Sequence, residues 1–220
     1  MIKKQVLKLK GNTAVFIDLA NVYGWRKSLK KEVDPEKLFG YFKKYSQVKE
    51  INFYYGEDKH PKSKEFLSKM KQVGFRIISK EVKYIPVSLD SSHFYEIVKE
   101  VKTSLSVINT LKTEEVEKLL QILSKKILRR KCDFDIEVVM DVYRCLQTID
   151  TYILFSGDGD FAPLYNLLVT LKKQVIIIFA HGHLGKEIYQ IKQGIFTKAV
   201  DKLGEDLFKK IPPRFPEGRD

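Results

Sequence analysis

Cysteine is scarce in this chain: Cys132 and Cys145 are the only two in 220 residues, and they make no CxxC spacing. That excludes a disulfide framework and a cysteine-built zinc site, and it fits a reducing compartment. Histidine is nearly as rare, with four residues and neither an HExxH nor an HxxxH pattern to support zinc. No apolar run approaches the ~18 residues that a membrane span needs. The first twenty residues begin basic, but Lys8, Lys10, Asn12 and Asp18 interrupt what would be the apolar core of a signal peptide. There is no internal repeat and no low-complexity segment. The expectation is a soluble, cytoplasmic protein with no membrane partner.

What the chain has in excess is positive charge. Forty Lys and Arg against 28 Asp and Glu give a net +12 and a pI near 9.4. Such a field attracts polyanions, nucleic acid before an anionic membrane surface. Hydrophobic residues make up 44%, enough for a substantial core in one domain.

Short apolar runs at 14–17 (AVFI), 51–55 (INFYY), 75–82, 152–155 (YILF) and 175–179 (VIIIF) read as buried strands. Helical spacing lies between them. Asp34-Pro35 starts a helix running to about Tyr45, and Gly74 closes one over 63–73. The alternation predicts an α/β fold, a mostly parallel central sheet flanked by helices. Residues 83–131 break that rhythm. Helical spacing at 92–107 and 113–130 predicts a helical insertion over about 88–130 within a single domain spanning 1–210. The insertion's basic end, with Lys126, Arg129, Arg130 and Lys131, reads either as a solvated helix terminus or as a surface for backbone phosphates. Arg26 and Lys27, in a basic segment after the first strand, are the other phosphate-binding candidates. Residues 211–220 cannot continue a helix and are expected to form a flexible tail.

The chemistry concentrates after YILF, where Ser156-Gly157 delivers Asp158 and Asp160. Ligands of a parallel sheet bind beyond the carboxyl ends of its strands. If the first and fourth strands are neighbours, Asp18 meets Asp158 and Asp160 there. The helix over 136–147 adds Glu137 and Asp141, i,i+4 on one face, with Ile136, Val139, Met140 and Tyr143 available to face the sheet. Acids clustered in this way repel one another and raise their own pKa values unless a cation lies between them. A hard divalent ion, Mg²⁺ or Mn²⁺, takes such oxygen ligands. An acidic metal pocket in a basic surface is the layout of a metal-dependent nuclease. Structural roles stay open beside this one: Asp160 and Asp135 as N-caps, Asn21 in a turn, Glu137 as a surface acid. His181 and His183, in a loop at the same edge, read as solvent-exposed rather than as phosphate or metal contacts.

These motifs resemble a known family. AVFIDLAN (14–21) is similar to the FIDxxN motif that opens the NYN domains, in the LabA-like branch of the PIN-like nuclease superfamily. KCDFDIEVVMD (131–141) resembles the family's lysine-then-Asp-then-Asp helix motif, and SGDGDFAPL (156–164) its SGDxDFxPL motif. The likeness covers most of 14–203. The chain departs from the family pattern in its long helical region at 83–130. It also departs at Cys132-Asp133-Phe134, where the family has a Gly-rich step, which leaves Asp133 open beside Asp135.

The resemblance implies a PIN-like, Rossmannoid sheet, a Mg²⁺- or Mn²⁺-dependent acidic site, and ribonuclease activity or RNA binding. By motif match it carries over Asp18, Asn21, Asp135, Asp141, Asp158 and Asp160. Asp18, Asp141, Asp158 and Asp160 are the favoured direct ligands, Asn21 positions water or phosphate, and Ser156 assists. The expected function is a metal-dependent endoribonuclease that hydrolyses RNA phosphodiester bonds, with DNA and a homodimer left open. The alternative is a non-catalytic RNA-binding regulatory module that retains the acidic pocket. An aspartyl phosphotransferase is disfavoured, because Ala20 stands where its second Asp would be.

Overall fold

The structure is a computed structural model that describes residues 6–87, 127–191 and 193–210. The expectations for residues 88–126, Lys126 among them, and for the tail at 211–220 lie outside the described residues.

The first strand, β1 (Thr13–Asp18), is buried at every position. A strand apolar on both faces needs cover on both, which fits the middle of a sheet. Two short helices follow, α1 (Leu19–Gly24) and α2 (Arg26–Leu29), then β2 (Lys31–Val33) and α3 (Pro35–Phe42). Asp34 caps α3 by accepting the Glu36 and Lys37 N–H groups, with Pro35 in the first turn. Next come β3 (Val48–Glu57), α4 (Pro61–Val73) and β4 (Arg76–Glu81). Gly74 ends α4 at φ 112°, the left-handed stop that its sequence position announces.

β5 (Lys83–Val87) and β6 (Ile127–Lys131) pair antiparallel and belong to a second compact unit, Val82–Cys132. Residues 127–130, expected as the end of a helix, are therefore strand. A short run of mixed apolar and basic residues is ambiguous in period, and here the ladder with β5 decides it. The main unit resumes with α5 (Asp135–Arg144), β7 (Thr151–Phe155), α6 (Ala162–Thr170), β8 (Gln174–Phe179), α7 (Lys186–Tyr189), β9 (Ile195–Ala199) and β10 (Phe208–Lys210).

Among the described residues, six strands form one sheet in the order β4-β3-β1-β7-β8-β9, with every pairing parallel. Renumbered by appearance, this is the doubly wound 3-2-1-4-5-6 order, whose direction of build reverses between β1 and β7. The α/β expectation holds, and the condition set for the acids to meet, adjacency of the first and fourth strands, is met. β9 and the small β2–β10 pair are too short and too polar to have stood out in the sequence.

One face of the sheet buries Val15, Ile17, Phe53, Ile153 and Phe155 against the helices of the first half. Phe155 is the hub of that layer, with its ring 6.4 Å from Trp25 and 5.7 Å edge-on to Phe42. The other face buries Phe16, Tyr54, Tyr152 and Leu154, with Phe16 stacked on Tyr152 at 6.0 Å.

On that second face α5 is rotated away from the expected orientation. It buries Val138, Asp141 and Val142, while Ile136, Val139, Met140 and Tyr143 are 74%, 42%, 65% and 76% exposed. The reason is charge. Arg76 and Lys80, i,i+4 on β4, meet Asp141 at 2.8 Å and Glu137 at 2.7 Å, i,i+4 on the helix. A buried Asp141 without these partners would be strongly destabilising, so the acids turn inward with Val138 and Val142, and Ile136, Val139, Met140 and Tyr143 turn out.

Removing the Phe155 ring should leave a cavity between two helices and the sheet. Phe155→Ala is expected to lower stability by about 3–5 kcal/mol, and Phe155→Leu by clearly less. Urea unfolding followed by circular dichroism measures the difference.

Candidate acidic site at the carboxyl edge of the sheet

β1 and β7 run in register up to Ile17 opposite Phe155, so their next residues, Asp18 and Ser156, emerge side by side. Asp18 caps α1, its Oδ1 accepting the Ala20 N–H at 2.9 Å. Its Oδ2 accepts from Asn21 Nδ2 at 2.9 Å, and the same amide nitrogen donates to Ser156 Oγ at 3.2 Å. Asn21 thus staples the two strand ends together, more than the local turn role considered for it. Ser156 is buried, and its Oγ also accepts the Asp158 N–H at 3.2 Å.

Two expected caps are placed differently. Asp158, not Asp160, caps the 3-10 turn Gly159–Phe161, with its Oδ1 accepting the Asp160 N–H at 3.0 Å. A 3-10 turn beginning at Gly159 precedes the helix proper, which starts at Ala162, and that earlier turn takes Asp158 as its cap. Asp135 is the first residue of α5 and not its cap. Phe134 holds the cap position, and Asp133 Oδ1 accepts the Asp135 N–H at 3.3 Å.

These acids lie within one another's field. Burial pushes Asp135 up to about 7, helped by its hydrogen bond to the Asp133 carboxyl and by the charges of Asp133, Asp158 and Asp18. Asp18 is also raised, mainly by burial, while its bonds to Ala20 and Asn21 oppose the shift and Asp133 adds to it. Tyr165, fully buried beneath, donates to the Ser156 carbonyl at 3.5 Å, and burial followed by the charges of Asp158 and Asp135 raises its phenol. Four carboxyls, Asp18, Asp133, Asp135 and Asp158, share one field. Both residues left open at the family's helix motif belong to it.

Asp141 is engaged elsewhere. Its Oδ2 accepts from Tyr54 at 2.9 Å and from Arg76 at 2.8 Å, and its Oδ1 accepts from Arg144 Nε at 3.2 Å. Burial pushes this carboxyl up, but the bonds from Arg76, Tyr54 and Arg144 hold it below the usual range. Arg76 is itself fixed by Asn52 at 2.7 Å, and Arg144 by Glu50 at 3.1 Å. A carboxylate facing two guanidinium groups has its charge offset and its lone pairs used. Its visible work is to brace α5 against β3 and β4.

The glycines of the SGDGD motif let two loops close on each other. A β-carbon on Gly157 would overlap the His183 carbonyl, and one on Gly159 would overlap Glu187 Oε2. The Gly185 N–H donates to the Gly157 carbonyl at 2.7 Å. His181 and His183 are exposed, as expected, and the loop carrying them contributes backbone to the contact. Sequence reasoning missed Glu187. The signal was there in Gly185-Lys186-Glu187, a helix start just past β8 on the same edge. Glu187 and Asp160 line a cavity of about 600 Å³ beside the acid cluster.

Among the basic candidates, the Arg26 guanidinium lies over the Tyr23 ring, 4.1 Å from its centroid, and Lys27 is exposed. Arg129, Arg130 and Lys131 lie on β6 in the second unit, with Lys131 exposed. Among the described residues, no group of three or more His, Cys, Asp or Glu side chains stands in ready-made ion-holding geometry, and no helix is long and apolar enough to cross a membrane.

A family model described as NYN domain matches residues 12–197. The chain is 20% identical over 177 residues to the low amplitude and bright protein LabA of Synechococcus elongatus, covering 80% of this chain and 77% of that one. A crystal structure of a Vibrio parahaemolyticus protein of unknown function shares the fold. Its TM-score is 0.56 at 19% identity, covering 93% of this chain and all of the other.

Two outcomes follow from this geometry. A carboxyl raised in the folded state binds more protons there than when unfolded, so its contribution to stability falls as pH rises from about 4 to about 7. Asp135→Asn should therefore melt above the wild type at pH 7.5 in EDTA, with the gap narrowing below pH 7 and closing near pH 4. Calorimetric melts across that range check the sign. Gly157→Ala should lower the melting temperature at every pH, because its new methyl group meets fixed backbone and not a flexible side chain.

Proposed function

The chain belongs to the NYN domain family, and on that premise we propose that it is a metal-dependent endoribonuclease acting at the seam between β1 and β7. The observation that carries the reading is the convergence of acids where β1 and β7 end side by side: Asp18 and Asp158 are held there, and burial first, with Asp133, Asp158 and Asp18 adding to it, pushes Asp135 up to about 7. Carboxyls kept together against their own repulsion are a feature of functional sites.

The donor set fits Mg²⁺ or Mn²⁺. Every side-chain group at the seam offers oxygen, from carboxylates, a carboxamide and a hydroxyl, which suits a hard cation. Mg²⁺ commonly binds through one or two carboxylates plus waters and substrate phosphates, so a closed cage of three acids is not required. Asp18 and Asp158, with Asp135 once it has lost its proton, would hold the ion, and Asp160 stands at the rim. When bound, such an ion lowers the pKa of a water and offsets charge on the phosphodiester.

The chain's own groups do the positioning. Asn21 keeps Asp18 turned toward the seam, and Ser156 fixes the Asp158 backbone through its N–H. Asp141 serves indirectly, holding α5 and therefore Asp135 in place through Arg76 and Arg144. The net +12 charge draws RNA to the surface, and Arg26 and Lys27, just beyond α1, are suited to its phosphates.

The second reading, an RNA-binding module without turnover, is favoured by one observation: Asp141, a favoured ligand by motif, has its charge already offset. It differs from the first in predicting salt-sensitive RNA binding with no product.

Single-turnover cleavage of a mixed-sequence RNA with Mn²⁺ separates them. Asp18→Asn and Asp158→Asn should each slow cleavage at least about a hundredfold while the chain stays folded, and EDTA should stop it. Cleavage that survives EDTA, or that runs equally in Asp158→Asn, overturns the assignment.

A further inference from the structure

Beside the acid cluster lies the cavity of about 600 Å³, a volume suited to a nucleoside-sized ligand. Its polar lining is the carboxylates of Asp160 and Glu187 and the carboxamides of Asn166 and Gln190, and Pro163 and Ile191 supply apolar walls. No cationic side chain is among its described lining residues, so it does not suit a phosphate, which two carboxylates would repel.

We propose that this cavity is a base-recognition pocket that selects guanine next to the bond to be cut. The proposal rests on the nuclease reading for its place in a reaction, and on the lining alone for its chemistry. An ionised carboxylate is an acceptor only. Guanine is the base that presents two adjacent donors, N1–H and the N2 amino group, to a pair of carboxylate oxygens. Adenine and cytosine set a ring acceptor beside their amino group, and uracil flanks its one N–H with carbonyls. Each of those three turns a lone pair toward a carboxylate oxygen. A carboxamide N–H from Asn166 or Gln190 completes the match by donating to guanine O6.

Glu187 stands against the turn that carries Asp160. Its Oε2 occupies the space that a Gly159 side chain would fill, and a β-carbon on Gly185 would lie 3.1 Å from the same oxygen. The two glycines leave room for the carboxylate beside the turn that carries Asp158 and Asp160. The pocket also joins the reacting end directly. The Asp160 N–H donates to Asp158 Oδ1 at 3.0 Å, which puts a bound base next to the seam.

The test titrates guanosine, adenosine, cytidine and uridine into the full chain in EDTA by calorimetry, then maps RNA cleavage with Mn²⁺. Guanosine should bind roughly tenfold or more tightly than the others, and Glu187→Gln should remove that margin. Gln190→Leu, a second change at an exposed position, should weaken guanosine without lowering the melting temperature. Equal binding of all four nucleosides, or a guanosine preference that Glu187→Gln leaves intact, overturns the pocket. Cleavage beside guanosines supports it, and cleavage without base bias overturns it while the nuclease reading stands. Guanosine binding with no cleavage supports the pocket and sinks the nuclease reading instead. If Glu187→Gln costs Mn²⁺ affinity and guanosine never binds, the cavity belongs to the metal site and base selection falls.

Discussion

Repulsion among carboxyls is the constraint to which the site's surroundings respond. Asp135 ionises against burial and against Asp133, Asp158 and Asp18 at once. Left to themselves these groups would separate into water. Three of the four are instead tied to backbone: Asp18 to the start of α1, Asp158 to the turn before α6, and Asp133 to the first N–H of α5. Using Asp18 and Asp158 as caps ties the position of each of these carboxyls to the element it begins. A cap worth about a kcal/mol per element helps hold the group where a cation would be welcome.

The strands and helices of the sheet were legible in the sequence because their signals are local, while the adjacency of the first and fourth strands, considered only as a condition, came from the structure. Five apolar runs, the Asp34-Pro35 start and the Gly74 stop each belong to one element. The site was legible in part. Asp18 and Asp158 stood out as acids that end apolar strands, although each also caps the helix or turn that follows it. Asp133 was visible only as a competitor to Asp135, and Glu187 gave no signal beyond its place in a short helix. Their roles depend on how loops approach in space, which spacing along a chain does not encode. Asp141 is the instructive case. Its motif position suggested a ligand, yet its partners are Arg76, from a strand 65 positions earlier, and Arg144, one turn onward. No pattern within α5 could reveal the first of these.

The same helix shows why periodicity misled about orientation. α5 has two stripes, one of Val138 and Val142 with the acids and one of Ile136, Val139, Met140 and Tyr143. Hydrophobicity alone would bury the second. Charge reverses the choice, because Arg76 and Lys80 repeat along β4 at the spacing of Glu137 and Asp141 along the helix. Such half-exposed pairs contribute modestly when made, but leaving a buried carboxylate unpaired is far more unfavourable. The asymmetry between those two magnitudes sets the face.

The reversal of strand order between β1 and β7 also bears on biosynthesis. Ile17 and Phe155 are paired neighbours in the sheet, yet well over half the chain separates them. A chain growing from its amino end can form β1, β3 and β4 while β7 is still unmade. At that stage Asp18 is the only member of the acid cluster present. Asp133 and Asp135 follow, and Asp158 arrives only once β7 has been synthesised and can dock against β1. The seam that makes the site is thus among the last contacts to close, so an incomplete chain carries much of the basic surface without the cluster.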